Sequence, residues 1–334
     1  MLRKNLFAIV YSVLLTAFTV YVLMDTFVIT RVYSTVPAVE ASSEAGSDAA
    51  DSDTAVTDSG TAVADSYSAV AEAAVNASAS DQTGESPTSQ QPVSTATSYQ
   101  DENIAITLTE YREYDTSIYV ADITLSSPEY LQTALAQNAY GRNVTEKTSE
   151  MAVENGAILA INGDYYGSQE SGYVLRNGVL YRDIAERGQE DLVIYEDGSF
   201  EIITEDEVTA QEILDRGAVQ ILSFGPALVT DSEVSVTAGE EVGKAKSSNP
   251  RTAIGVIDDL HYVFVVSDGR TDESEGLSLY QLAEFMSRLG AETAYNLDGG
   301  GSSSMVFNGN VINNPTTSGN RIKERSVSDI VYIG

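Results

Sequence analysis

Apolar residues follow three different rhythms along this chain. From Leu6 to Met24 they form a nearly continuous run, interrupted clearly only by Ser12, Thr16 and Thr19, and this run approaches the length that crosses hydrocarbon. From Glu40 to about Asn103 they thin to scattered Ala and Val with no period. From Ile104 onward the period is mostly two. Ile104-Ala105-Ile106-Thr107-Leu108 alternates, Ser117 to Leu125 continues as strand, and Asn177-Gly178 and Asp197-Gly198 lie between short apolar runs as hairpin turns do. A helical period is convincing in two places. One is Thr148 to Asn155, ended by Gly156, and the other is Leu279 to Leu289, where Leu279, Leu282, Phe285, Met286 and Leu289 share one face. Many short strands with few helices predict an α+β fold built on mixed or antiparallel sheets.

These rhythms divide the chain into residues 1–30, expected to be a membrane anchor; 31–103, an expected disordered spacer; and 104–334, one globular domain. Arg3 and Lys4 before the apolar run, and acidic sequence after it, orient the amino terminus inside and the domain outside. That predicts a single-pass protein of the cell membrane with an extracellular domain. A cleaved signal peptide, with Val39 and Ala41 before Ser42, is the competing reading. Between Glu40 and Asn103 there are 12 acidic residues and no Lys or Arg. Such a segment buries too little apolar surface to offset its ordering entropy. As a flexible chain it would span about 45 Å and hold the domain off the membrane.

Composition then narrows the chemistry. With no cysteine, disulfides, thiolate metal sites and a Cys nucleophile are excluded. The single histidine, His261, leaves a Ser-His-Asp triad dependent on one residue that opens a strand beside Asp258-Asp259. A formal charge of -32, from 50 Asp+Glu against 18 Lys+Arg, argues against nucleic acid as a partner. No cofactor is required by the sequence, and a divalent cation on clustered Asp stays open, without EF-hand spacing.

Four segments share one design, an apolar strand leading into or out of a turn carrying Asp, Asn or Arg. Ala157 to Ile161 leads into Asn162-Gly163-Asp164-Tyr165-Tyr166-Gly167. Tyr262 to Val266 leads into Ser267-Asp268-Gly269-Arg270, and Thr293 to Leu297 into Asp298-Gly299-Gly300-Gly301-Ser302-Ser303-Ser304. Asn249-Pro250-Arg251-Thr252 opens the strand Ala253 to Ile257. They are expected to converge on one pocket. Three successive glycines are entropically costly, so positive φ or close approach should require them, and their amides are expected to form an anion nest. Arg251 and Arg270 offer planar forks for phosphate or carboxylate. Asp164, Asp268 and Asp298 are the candidate carboxylates, although an Asp beside Gly also caps turns. Tyr165 and Tyr166 are candidates to stack on a sugar face, or to pack in the core.

These segments, with Ser223-Phe224-Gly225-Pro226, Asn313-Asn314-Pro315 and Arg325-Ser326-Val327-Ser328-Asp329, resemble the motifs of the phosphodiester glycosidase family. The resemblance runs in order from about Ile104 to Gly334, with Ser304 where Thr is expected. It implies hydrolysis of a sugar 1-phosphate diester, and the expected membrane arrangement adds a context outside a bacterial cell, with a phosphodiester-linked glycan or teichoic-type polymer as partner. Arg251, Arg270 and Gly299, Gly300, Gly301, Ser302 and Ser303 would hold the phosphate. Asp298 is the favoured reactive carboxylate, with Asn162 orienting a sugar hydroxyl. A noncatalytic glycan-binding or wall-organising module, and a metal-dependent phosphodiesterase cutting the P–O bond, are the alternatives.

Overall fold

The computed structural model describes residues 2–35, 92–239, 248–317 and 321–334. Alternation of apolar positions builds three large antiparallel sheets there, beside two two-stranded ones. The largest has nine strands, running in space from Glu233–Val234 through Ala227–Thr230, Thr293–Leu297, Arg251–Asp258, His261–Ser267, Thr116–Leu125 and Ile104–Glu113 to Ser98–Gln100 and Val93–Ser94. A five-stranded sheet is centred on Gly172–Arg176, Ala218–Leu222 and Glu190–Tyr195, and another on Met305–Phe307, Leu159–Asn162 and Asp329–Ile333. The expected hairpins form at Asn177-Gly178 and Asp197-Gly198, with positive φ at Asn177, Gly178 and Gly198 as such turns require.

Period two decides which side each residue covers. Ile254, Phe264 and Tyr295 point from the large sheet into a core shared with Leu159, Ile161, Leu192, Met305 and Val331 of the two smaller sheets. Their neighbours Ala253, Val263, Val265 and Ala294 point the other way. Each outer face receives a helix. The helix Leu279–Arg288 covers the large sheet with Leu279, Leu282, Phe285 and Met286. The helix Thr148–Glu154 covers the sheet of Leu159–Asn162 with Met151 and Ala152. A third short helix, Ala210–Asp215, covers the remaining sheet through Ile213; its only sequence signal is the capping box of Thr209 and Glu212. The domain is the α+β assembly of antiparallel sheets that the pattern predicts.

The expected boundary at Ile104 moves. Ser98–Gln100 pairs with Ala105–Thr107 and extends the large sheet outward to Val93. The expected spacer is also ordered at its other end. Arg31–Thr35 pairs with Ala139–Arg142 as a two-stranded sheet, and Tyr33 lies against Tyr140 with ring centroids 5.7 Å apart. Since Arg31 follows closely on the helix Leu2–Phe27, the distance from helix to domain is not set by the segment between these strands. That segment, 36–91, lies outside the described residues, as does the expectation of disorder placed on it. Among the described residues no helix is long and apolar enough to cross a membrane; the side chains described in the first helix cover only 10–26.

Candidate active site

The geometry starts from Asn162, the last residue of its strand and fully buried. Its Oδ1 accepts hydrogen bonds from Thr252 Oγ1 at 2.8 Å and from the Ser304 amide at 3.2 Å, and its Nδ2 donates to the Asp298 carbonyl at 2.7 Å. One amide thereby ties the exit of the strand Leu159–Asn162 to the opening of Arg251–Asp258 and to the turn after Thr293–Leu297. The expected sugar-orienting role is corrected: the polar atoms of Asn162 are engaged with the protein itself. A buried polar group must find such partners or carry a large desolvation cost.

The three candidate carboxylates separate by environment. Asp164 is fully buried; Oδ2 accepts from Arg176 Nη2 at 2.8 Å and the Ser223 amide at 2.9 Å, and Oδ1 from the Tyr166 amide at 2.9 Å. Asp268 is also buried, and Asn314 donates to it through its backbone amide at 2.7 Å and its side chain at 3.0 Å, with Tyr119 Oη at 3.3 Å. Both are buried and engaged with the protein itself, where they fix loops. Asp298 alone of the three reaches the surface, with 13% of its side chain exposed. Ser302 Oγ donates to its Oδ2 at 2.5 Å and Arg325 Nη2 at 2.8 Å. Burial raises its pKa, while Arg325, the Ser302 hydroxyl and the Gly299 amide pull it back down.

The glycine turn is shaped by close approach, as its cost requires. Gly300 has φ +63°, and a Cβ there would lie 2.8 Å from Arg270 Nη2. Most amides of the expected anion nest are taken up within the chain: those of Gly300, Ser302 and Ser303 donate to the carbonyls of Pro250, Gly299 and Gly300. Ser302 is engaged with Asp298 and Arg325, and Ser303 is fully buried. Gly301 is closed in by Thr317 and Gly299 by the Pro250 carbonyl.

Arg251 is largely buried. It is 3% exposed, and its Nε donates to the Leu277 carbonyl at 2.9 Å. Arg270 is exposed and held by Asn249 Oδ1 at 2.8 Å and the Thr317 carbonyl at 2.8 Å. Its pKa is lowered by partial burial and then by the charge of Arg325, against the attraction of Asp298. Two guanidinium groups therefore face the Asp298 turn, Arg270 and Arg325. Arg325 was named in the sequence only as part of a late motif; the cations from Arg321 to Arg325 in an otherwise acidic chain were the signal for it.

Tyr166 is core, stacked on Tyr140 at 5.5 Å and under the Arg176 guanidinium. Tyr165 is the exposed member, its ring meeting Phe224 edge-on at 5.1 Å. His261 lies at the opposite end of its strand from Ser267, 3.2 Å from Asp122. Among the described residues no three His, Asp or Glu side chains gather to hold a metal ion.

Behind the Asp164 loop lies a buried triad that the sequence reading did not find. Arg176 Nη2 binds Asp164 at 2.8 Å and Asp329 at 2.6 Å, so two carboxyl groups converge on one cation. Gly163 admits Asp329 here, since a Cβ would sit 2.5 Å from its Oδ1. Burial and then the Asp164 charge push the Asp329 carboxyl up to about 8, against the pull of Arg176.

Strand exits from two antiparallel sheets are thus tied at Asn162, with a partly exposed carboxylate set among glycines and arginines. The chain belongs to the phosphodiester glycosidase family, whose model matches residues 155–334. It is similar to the SPbeta prophage-derived uncharacterized protein YomE of Bacillus subtilis (strain 168), at 31% identity over 180 residues covering 52% of this chain and 28% of that protein. It is similar also to N-acetylglucosamine-1-phosphodiester alpha-N-acetylglucosaminidase of Mus musculus, at 27% identity over 184 residues covering 50% of this chain and 35% of that protein. The chain therefore aligns with about a third or less of each of these relatives. Its fold is similar to the zebrafish catalytic domain of that enzyme, auto-inhibited by its pro-peptide, with a TM-score of 0.55 at 21% identity, covering 69% of this chain and 82% of that one.

Two outcomes are expected. Asn162→Ala leaves the Asp298 carbonyl, the Thr252 hydroxyl and the Ser304 amide without their partner and should lower unfolding free energy by about 3 kcal/mol in urea titration; wild-type stability would remove Asn162 from its tying role. Asp329 is protonated in the folded state over a range where the unfolded chain ionises it. Its contribution to stability is therefore complete below about pH 4 and is lost as pH rises through about 8. Thermal melts of Asp329→Asn should fall less steeply over that window than those of the wild type; parallel curves would refute the assignment.

Proposed function

We propose that this chain is a hydrolase that cleaves a sugar 1-phosphate diester on its glycosidic side, with Asp298 as the reactive carboxylate. The observation that carries the reading is the contrast among the three acids: Asp164 and Asp268 are buried and saturated, whereas Asp298 is accessible beside Arg270 and Arg325. A phosphate leaving an anomeric carbon departs as a stable anion, so little general acid is needed and charge stabilisation matters most. Arg270 and Arg325 are suited to that anion. In the proposed step Asp298 takes a proton from water as its oxygen bonds the anomeric carbon. The C–O bond to phosphate breaks with its electron pair on the phosphate, leaving a free sugar and a phosphomonoester. A carboxylate whose pKa is raised by burial is the better base.

Family membership and the resemblance to enzymes of phosphodiester-linked N-acetylglucosamine support this substrate class. We place the protein at a membrane, outside the cell, acting on a phosphodiester-linked glycan or teichoic-type polymer. The supporting feature is the first helix, whose described apolar side chains, including Leu14, Leu15, Phe18 and Leu23, are exposed, with Arg3 and Lys4 ahead of them.

Asp298→Asn should reduce kcat on a synthetic sugar 1-phosphodiester by about 10²- to 10⁴-fold while leaving the thermal melt in place; near-normal turnover would remove Asp298 from the mechanism. Because burial raises the Asp298 pKa, kcat/KM should rise with pH along a limb lying above the ordinary Asp value of about 3.9. Hydrolysis in oxygen-18 water should label the sugar at its anomeric carbon; label in the phosphate would show cleavage of the P–O bond instead. The full-length chain should sediment with membranes and resist salt extraction; a salt-released form would count against anchoring.

A further inference from the structure

An open cleft of about 410 Å³ adjoins the Asp298 turn, lined in part by Lys147, Thr317, Arg321, Lys323, Glu324 and Arg325. Two of these residues belong to both places. Arg325 binds Asp298 and Ser302, and the Thr317 carbonyl accepts from Arg270 while its side chain closes over Gly301. The cleft is thus the continuation of the candidate site toward the strand Ser326–Val327.

Its charge is opposite to that of the chain. Four cations and one carboxylate among its lining residues give +3, from 4 − 1, in a protein of formal charge -32. The one carboxylate is turned aside: Glu324 accepts from the Ser149 amide at 2.8 Å and its Oγ at 2.6 Å, in the first turn of the helix Thr148–Glu154, where negative charge is favoured. Lys147 is paired with Glu150, on the same helix. Arg321 and Lys323 are exposed and have no ion-pair partner among the described residues. Two unpaired cations beside Arg325 in a concavity form a surface suited to an anionic occupant. In a chain of net negative charge such a local cluster of cations is the kind of surface that draws an anion.

We propose that this cleft is a subsite for a second phosphate of the same substrate molecule, so that the substrate is a polyanionic chain with repeated phosphodiesters and not an isolated sugar phosphodiester. This rests on the proposed hydrolase reading and specifies its substrate class. Arg270 and Arg325 would face the scissile phosphate, and Arg321 and Lys323 the phosphate of the next unit.

The test compares, on the full chain, a short synthetic sugar 1-phosphodiester with the same compound extended by several glycerol phosphate units. At low ionic strength the wild type should show kcat/KM about tenfold higher for the extended substrate, equivalent to about 1.4 kcal/mol. That preference should shrink as salt shortens the Debye length. The Arg321→Ala/Lys323→Ala double variant should lose the preference and keep its kcat/KM on the short substrate within about twofold. A glycerol phosphate oligomer with no sugar, titrated by calorimetry, reads binding without turnover. If neither substrate is hydrolysed but this oligomer binds the wild type and not the double variant, the hydrolase reading fails and the anionic subsite stands. Equal kcat/KM on both substrates with equal oligomer binding by wild type and variant overturns the subsite, as does a variant that loses the short substrate as severely as the long one.

Discussion

Two sheets have to be held at a fixed offset for this site to exist, and the side chain of Asn162 is central to that tie. Strands from different sheets share no backbone ladder, so their exits are joined by side chains and by isolated backbone bonds such as that from the Asp298 amide to the Gly163 carbonyl at 3.3 Å. With Oδ1 accepting from Thr252 and Ser304 and Nδ2 donating to the Asp298 carbonyl, a single planar amide fixes the relative positions of three chain segments. In a dry interior each of these bonds is strong and leaving one unmade is costly, so the geometry is narrow. Asp298 inherits its position from that tie.

The polar groups behind the site follow the same logic at larger scale. Arg176 compensates Asp164 and Asp329 together, and Asp268 is saturated by Asn314 and Tyr119. Such buried groups hold the loops through which the chain returns to one end of the sheets, leaving a small set of polar side chains, Asp298, Arg270 and Arg325, to face outward. Their charges act on one another: Arg325 counters the burial that raises Asp298, and it lowers Arg270. The cleft beyond Arg325 extends the cationic surface in the direction the chain leaves open.

Much of this was legible along the chain. Period two and the turns Asn177-Gly178 and Asp197-Gly198 marked the antiparallel sheets; the apolar face from Leu279 to Leu289 marked the longer of the helices in the domain. The helix Ala210–Asp215 was too short to show a period. The edge strands Arg31–Thr35 and Val93–Ser94 lay in sequence that resembles a spacer, because what orders them is a partner strand and not their own composition. At the site, the types of residue were visible and their orientation was not. Asp164, Asp268 and Asp298 each follow or adjoin a strand end beside glycine, and nothing local distinguishes a carboxylate that caps a loop from one that faces solvent. Arg176 carried no motif at all.

What the amino-acid order determined alone was the alternation that makes sheets, the glycines that permit the turn after Asp298, and the absence of cysteine that removes thiol chemistry. The tertiary structure decided which acid is exposed, which arginine is buried, and that the cations near residue 325 meet the turn near residue 300. Burial and partnership depend on segments far apart in the chain, and only packing of the sheets against one another brings those segments within hydrogen-bonding distance.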